Sequence, residues 1–281
     1  MKFSLFKEYG ALNSKPVFAA FEQSLIDRGY TVTESDMHSD VAVIWSVLWN
    51  GRMLGNKPVW DYYRKTNRSV IVLEVGGIQR GTTWKVSLNG VNRAADYVPQ
   101  GNNNDRAQQL GLSLKPWRTH GEYILICGQH NKSLQWQNQP PLSKWFLDTY
   151  DTIRQHSDRP IVFRPHPRSR LEHIERGLKH VHRQEPCPIK NTYDDFDLKF
   201  DNTWATVSWS SNPGIHSIIE GVPAVVGADS LAYGVAEHDL ANIENPRQPD
   251  RTQWLNDYAW TEFTVEEIAN GIPLDLLTPL L

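Results

Sequence analysis

The chain has 281 residues, 40% of them apolar and 22% charged, with a formal net charge of −3; this excludes a disordered chain and a general polyanion-coating protein, though a local basic cleft fits it. Two cysteines, Cys127 and Cys187, are too few for a disulfide scaffold or a zinc ribbon. The opening MKFSLFKEYGALNSKP lacks the apolar core of a signal peptide, and no run approaches the roughly 20 apolar residues of a membrane span, so a cytoplasmic protein without a membrane partner is expected.

In chain order, KFSLF reads as a strand, and PVFAAFEQSLIDRGY follows as an amphipathic helix with Phe18, Phe21, Leu25 and Ile26 on one face. The apolar run from Asp40 to Val47 predicts a strand buried on both faces. Pro58 opens a helix through Lys65, and SVIVLEVGG from Ser69 is a third strand. After Gly81 the pattern dissolves into Gly, Asn and Gln, and LSLKPWRTHGE around 112–122 reads as an inter-domain connection. The alternation then restarts: YILICGQ, a helix capped by Ser143, a strand from Ile161 to Arg164, a helix over LEHIERGLK, a strand WATVSWSS, a helix over GIHSIIEG and a strand PAVVGA. This alternation predicts an α/β fold of two Rossmann-like halves facing each other. The expected boundaries are 1–117, 118–255 and a helical closing segment at 256–281.

Ligands of open parallel sheets sit beyond the carboxyl ends of the strands. In the second half those ends carry Gly128, Gln129, His130 and Ser133, then Arg164, His166 and Arg168, then Ser208, Ser210, Ser211, Asn212 and Gly214. A Gly-rich turn, a basic turn and a hydroxyl-rich turn feeding a helix N-terminus suit phosphate, through backbone N–H groups, the helix dipole and forked Arg donors. Charge agrees: residues 159–183 hold seven Arg or Lys against two Glu, with four His. A solvated helix face would account for Arg176, Lys179 and Arg183 but not for FRPHPRS, where two prolines around a His make a rigid turn. The acidic run of Asp194, Asp195 and Asp197 reads as a solvated loop or helix start rather than a metal site. The 11 tryptophans read first as packing residues and second as stacking platforms. The P-loop, the dinucleotide fingerprint, the nucleophile elbow and the zincin motif are all missing from the sequence.

The second half resembles the donor-binding domain of GT-B glycosyltransferases, most of all the group of Kdo and capsule-polysaccharide transferases. The likeness lies in Gly128–Gln129, in RPHP from Arg164 to Pro167, and in TVSWSSNPGIHSIIEGVPAVV from Thr206 to Val226. The stretches VLEVGGIQRGTTWKV and DRTQWLNDYAWTEFTVEEIANG are also similar to phage-encoded proteins of this class. The resemblance implies a GT-B fold of two Rossmann-like domains facing across a cleft. It also implies donor phosphate at Ser210, Ser211 and Gly214 and a helix ended by Gly221 and Pro223; Ser133 and Asn212 of the strand ends, with Ser217, complete the expected donor set. Where the family usually has a Glu reaching the donor nucleoside, this chain has His216; Glu220 lies one turn later.

A metal-independent transferase without a cofactor is therefore expected, taking a nucleotide sugar, a UDP-sugar being the first choice. Arg164, His166, Arg168 and the N–H groups at 211–214 would meet the charge of the leaving group. An inverting transfer needs a base at a strand end of the first half: Glu74 first, then Asp36 and His38. Gly76 and Gly77 would let backbone approach a ligand. The acceptor expected from the phage likeness is a hydroxylated base such as 5-hydroxymethylcytosine in double-stranded viral DNA. Arg80, Lys85 and Arg93 would then lie on backbone phosphates and Trp84 against a flipped base. A surface or capsule glycan is the alternative acceptor, and a non-catalytic nucleotide-sugar module or an epimerase-like or hydrolytic enzyme is the alternative from another class.

Overall fold

The structure, a computed structural model, describes residues 1–169, 171–192 and 195–281. The chain gathers into two units: Met1–Arg106 with Asn256–Leu281, and Ala107–Leu255. The segment after 255 thus joins the N-terminal stretch.

In the first unit, β1 (Lys2–Leu5), β2 (Thr31–Glu34), β3 (Val41–Trp45) and β4 (Ser69–Val75) run parallel in the order β2-β1-β3-β4. β3 is buried throughout, as its continuous apolar run requires. Phe18, Phe21 and Leu25 of α1 (Lys15–Asp27) enter the core, whereas Ile26 points outward and is 54% exposed. It is the fourth apolar residue of the helical stripe and lies past the face that meets the sheet. α2 (Asn56–Lys65) covers the other side through Val59 and Tyr63.

Two further strands, neither of them expected from the sequence, extend this sheet. β5 (Thr83–Leu88) runs antiparallel to β4, and β11 (Glu262–Thr264) runs antiparallel to β5. Every residue of β5 is buried, including Lys85 and Ser87, although TWKVSL alternates polar and apolar residues as a half-exposed strand does. β11 belongs to the segment expected to be helical. α6 (Thr252–Tyr258), α7 (Val265–Ala269) and α8 (Ile272–Leu277) flank it, α7 being entered through a capping box of Thr264 and Glu267.

Arg106, at the start of α3 (Asp105–Gln109), fixes β11. Its guanidinium is 3% exposed, donates to the carbonyls of Ala259 (2.9 Å) and Glu262 (2.5 Å), and pairs with Glu267 at 2.7 Å. The cation also lies over Trp260 and Phe263, 4.9 and 4.8 Å from the ring centroids.

The second unit is an all-parallel sheet of β6 (Tyr123–Cys127), β7 (Ile161–Arg164), β8 (Val181–Arg183), β9 (Thr203–Ser208) and β10 (Ala224–Val226), in the order β10-β9-β6-β7-β8. Numbered within the unit this is 3-2-1-4-5, the Rossmann order, whose connections reverse direction between β6 and β9. α4 (Leu142–His156) packs Phe146 on Phe163 with centroids 4.1 Å apart. It starts at Leu142, so Ser143 lies in its first turn and does not cap it. α5 (Asn212–Ile219) ends at Glu220 and Gly221, whose φ of +77° supplies the left-handed turn after the helix.

The helix expected over 171–179 is absent; a single 3₁₀ turn, Ile174–Gly177, stands there. Glu175 is drawn in by His173 at 2.9 Å and Arg183 at 3.2 Å and is 5% exposed. The connection is thus shaped by a buried carboxylate rather than by an apolar stripe. Among the described residues, no helix is long and apolar enough to cross a membrane.

The Arg106 clamp gives a direct test. Arg106→Ala strands two buried carbonyls and the Glu267 carboxylate, and should lower the urea-unfolding free energy of the first unit by about 3–5 kcal/mol. Equilibrium denaturation followed by tryptophan fluorescence reads the change.

Candidate functional site

The site is built at the reversal point of the second unit, where the chain leaves β6 as Gly128-Gln129-His130 and β9 as Trp209-Ser210-Ser211. Parallel pairing brings these ends side by side, Ile126 opposite Val207. Gln129 joins them, its Oε1 accepting from the Ser210 N–H at 3.4 Å. On the other flank, the Gly128 N–H donates to the Arg164 carbonyl at 2.8 Å, and the Ser169 hydroxyl donates to Asn131 Oδ1 at 3.0 Å. A Cβ on Gly128 would stand 2.8 Å from the His166 nitrogen, so only glycine lets the two loops come this close.

Within this frame, four buried polar side-chain atoms make no hydrogen bond among the described residues: His130 Nε2 and the hydroxyls of Ser208, Ser210 and Ser211. For His130 the tautomer follows from its other nitrogen. Nδ1 accepts from the Lys132 N–H at 3.1 Å, so in the neutral ring Nε2 carries the proton and is a donor without an acceptor. Burial, and then the charges of Arg168 and Lys132, lower the His130 pKa and keep the ring neutral. Ser211 is the residue before α5, yet its side chain makes no capping bond; an N-cap serine ordinarily accepts from the first turn. Buried polar groups without partners are rare in folded proteins, and here four lie at one reversal point beside a helix N-terminus.

Gly214 completes the cradle. A Cβ there would fall 2.4 Å from Ser208 Oγ, so the glycine is what allows α5 to start against the strand end. Trp209 forms one side: its indole N–H donates to Asp229 Oδ2 at 2.9 Å, and its ring lies edge-on to Trp136, 6.2 Å away. These tryptophans serve as packing, with Trp136 4% exposed.

The other expected donor residues divide. Gly128, Gln129, Ser210, Ser211, Asn212 and Gly214 all lie at the two strand ends and the start of α5. His166 lies beside them, its ring 5.2 Å from that of His130 and its Nδ1 accepting from the Arg168 N–H at 3.1 Å; Arg168 is exposed on the same turn. Ser133 donates to the His130 carbonyl at 2.9 Å and so shapes the loop. Arg164 is 6% exposed, and one of its nitrogens donates to the Asp197 carbonyl and lies 3.3 Å from that carboxylate. It therefore anchors the segment leading to β9.

Two residues are displaced from the expected role. Ser217 is fully buried, donating to the Gly214 carbonyl at 2.9 Å and sharing a 2.7 Å hydrogen bond with Thr206, so it packs α5 on β9. Glu220 ends α5 at the opposite edge of the sheet and pairs with Lys115 at 2.5 Å. His216 is half-buried, one turn into α5. His130 and Ser208 belong to the strand-end set in the sequence, but no family motif singles them out; the structure makes them two of the four unpaired groups.

Of the acidic run, Asp194 lies outside the described residues. Asp197 accepts from the Cys187 N–H at 2.8 Å and Asp195 from the Phe196 N–H at 2.9 Å, both shaping the loop. Among the described residues, no group of three His, Cys, Asp or Glu is placed to hold a metal ion.

The first unit is a separate matter. Glu74 stands near the carboxyl end of β4, half-buried, with Oε1 accepting from the Val75 N–H at 2.8 Å. Asp36 is bound by Lys2 at 2.5 Å and by the N–H of His38 and the hydroxyl of Ser39. These contacts, Lys2 first, hold its carboxyl down to about 2, which makes it a weak base and a turn-former. His38 is exposed on that turn.

Trp84 and Lys85 are not surface residues. Trp84 is 5% exposed against Trp45, with ring centroids 5.8 Å apart, and Lys85 is 4% exposed, so neither can meet a flipped base or a backbone phosphate. Arg80 is half-buried and Arg93 exposed. Gly76 serves the protein's own loop, since a Cβ there would lie 2.2 Å from the Thr83 carbonyl and 2.4 Å from Glu262.

No protein-family model matches the chain, and no curated protein matches it by sequence. Solved structures do. The beta Kdo 2,7 transferase of KpsC from Thermosulfurimonas dismutans superposes with a TM-score of 0.55 at 15% identity, over 98% of this chain and 100% of that one. The beta Kdo 2,4 transferase of KpsC from the same organism gives 0.51 at 10% identity, over 97% and 98%. At such identities the likeness is one of fold, an α/β fold with two Rossmann-type units as in GT-B proteins.

The neutral His130 ring is open to titration. Its NMR midpoint should lie below the ordinary histidine value of about 6.5. A histidine with a depressed folded-state pKa stabilises the fold above its unfolded pKa, so this contribution should decline as pH falls from about 6.5 through the folded midpoint. His130→Gln should flatten that decline in denaturation curves measured across pH.

Proposed function

We propose that the chain is a GT-B glycosyltransferase that binds a nucleotide-sugar donor at the carboxyl ends of β6 and β9. The observation that carries this is the set of four buried, unpaired groups, His130 Nε2 and the hydroxyls of Ser208, Ser210 and Ser211, gathered beside the N-terminus of α5. Phosphate oxygens satisfy all of them at once, because neutral O–H and N–H donors and a helix N-terminus favour an anion without requiring a buried counter-charge. The fold likeness to two Kdo transferases supports the transferase reading over a binding module.

In the proposed reaction the acceptor hydroxyl loses its proton to Glu74 while its oxygen bonds to the anomeric carbon. The bond from that carbon to the nucleotide phosphate breaks, and its electron pair leaves with the phosphate. The donors at 208–214, with His130, His166 and Arg168, stabilise that charge. Metal independence and use of a UDP-sugar belong to the proposal. For the acceptor we take a glycan hydroxyl: the burial of Trp84 and Lys85 removes two of the four residues on which a DNA acceptor depended.

The test offers labelled nucleotide sugars, UDP-linked first, with a glycan panel, with hydroxymethylated DNA and with no acceptor, each with and without excess chelator. Label should pass to glycan, and chelator should leave the rate unchanged. Replacing both Ser210 and Ser211 by Ala should weaken donor binding about a hundredfold or more, two hydrogen bonds to a charged group being worth about 1.5–3 kcal/mol each. Donor binding without transfer to any acceptor would overturn the enzyme reading, and unchanged donor affinity in the double variant would overturn the site. Label on DNA alone would restore the DNA acceptor, and dependence on added metal would overturn metal independence.

A further inference from the structure

Beyond the ends of β7 and β8 the second unit holds a cleft of about 490 Å³, within the range of roughly 300–1,000 Å³ that small-molecule sites occupy. It begins at His166, whose ring is 5.2 Å from that of His130, so it opens directly from the donor site. Two rigid turns wall it, one at Pro165 and Pro167 after β7 and one at Pro186 and Pro188 after β8. A short antiparallel pairing holds the second turn: Pro188 lies opposite Phe196, and the Ile189 N–H donates to the Asp195 carbonyl at 2.9 Å. Phe196 is half-buried and adds an aromatic surface to the wall.

The polar lining of the cleft is opposite in kind to that of the phosphate cradle. His173 Nδ1 meets Glu175 Oε1 at 2.9 Å, and that buried carboxylate is also paired with Arg183 at 3.2 Å. The carboxylate accepts, so Nδ1 donates, and Nε2 of the neutral ring is left as an acceptor. Arg183 uses all three of its nitrogens within the protein: on Glu175, on the Leu171 carbonyl at 2.9 Å, and through Nε on Glu185 Oε1. It therefore fixes the acceptors in place rather than offering itself to a ligand. Glu185 and His173 border the cleft, and Oε2 of the one and Nε2 of the other make no hydrogen bond among the described residues.

We propose that the nucleoside of the sugar donor lies in this cleft, its N–H and O–H groups donating to Glu185 and His173 and its rings against Phe196 and the prolines, a placement that rests on the donor site proposed above. The span agrees. From the β6–β9 boundary to the β7–β8 boundary is two strand spacings of about 4.8 Å, roughly the reach of a nucleoside from its phosphate. Polarity sets the direction. Neutral donors and a helix N-terminus gather at the β9 end, whereas the β8 end presents acceptors and the carboxylates of Glu175 and Glu185. A phosphate at the β8 end would meet like charge, and a base at the β9 end would leave the hydroxyls without an anion, so one orientation of a nucleotide satisfies both ends. α5 supplies no competing contact: Asn212–Ile219 carries no carboxylate, and Glu220 is paired with Lys115.

The experiment measures binding of inorganic phosphate and of the monophosphates of uridine, cytidine, thymidine, adenosine and guanosine by calorimetry. It compares the wild type, Glu185→Ala and the variant with Ser210 and Ser211 both replaced by Ala, and follows the His173 ring by NMR. The Glu185 side chain is 62% exposed, so its removal leaves the fold intact. At least one nucleotide should bind tenfold or more tighter than phosphate. Glu185→Ala should weaken that nucleotide about tenfold, the loss of one hydrogen bond to a charged group, and should leave phosphate affinity unchanged. The double serine variant should weaken both ligands. The nucleotide should shift the His173 ring resonances, and phosphate should not. Nucleotides that bind no tighter than phosphate, an unchanged nucleotide affinity in Glu185→Ala, or an unmoved His173 ring each overturn the nucleoside cleft and leave the donor site standing. Failure of phosphate and of every nucleotide to bind, or binding indifferent to the two serines, overturns the donor site and the cleft with it.

Discussion

The second unit depends on one topological constraint, the reversal of connection between β6 and β9. Two parallel neighbours whose following segments leave in opposite directions cannot cover each other's carboxyl ends, and the ends stay open to a ligand. This chain fills that opening with side chains too short to reach one another. Among the described residues the serine hydroxyls and the neutral imidazole are desolvated without being paired, which costs free energy and which the proposed donor phosphate would offset. The glycines at 128 and 214 are the steric condition, because a methyl group at either would push apart the loop or the helix that forms the cradle.

The first unit solves a different problem with the same kind of sheet. Its parallel strands are extended by two antiparallel ones, the last contributed from near the chain's end, and the polar residues of that extension are buried with it. Arg106 and Glu262 are both enclosed, Glu262 engaged mainly with backbone N–H groups and Arg106 with two carbonyls and the Glu267 carboxylate. Ionised groups hydrogen-bonded to backbone dipoles are tolerated inside a protein. Lys85 departs from this: among the described residues it makes one long hydrogen bond, to Asn92, and the cross-strand register sets it between Glu262 and Glu74.

Acidic residues with similar sequence credentials end in different roles. Asp36 lies in the turn after the short polar strand β2 and Glu74 near the end of β4, but Asp36 is tied by an ammonium, an N–H and a hydroxyl, while Glu74 accepts, among the described residues, only from the Val75 N–H. Asp197 and Glu220 are likewise drawn into structural pairs. What separates a base from a turn-former is how many donors surround it, a count set by neighbours far away in sequence.

The sequence by itself determined the α/β class, the parallel strands β1, β3, β4, β6, β7, β9 and β10, the helices α1, α2, α4 and α5 between them, and the strand ends that hold the candidate donor site. Each of these follows from local signals: apolar runs, helical spacing, and Gly, Ser and Pro after a strand. The tertiary structure alone decided the rest. It brought β11 to the sheet from a distant part of the chain and buried the polar face of β5. It withdrew Trp84 and Lys85 from the surface, turned Ser217 and Glu220 away from the site, and set His130 and Ser208 without partners beside Ser210 and Ser211. Burial and hydrogen-bond satisfaction are properties of long-range packing, and residue types and spacings carry no record of them.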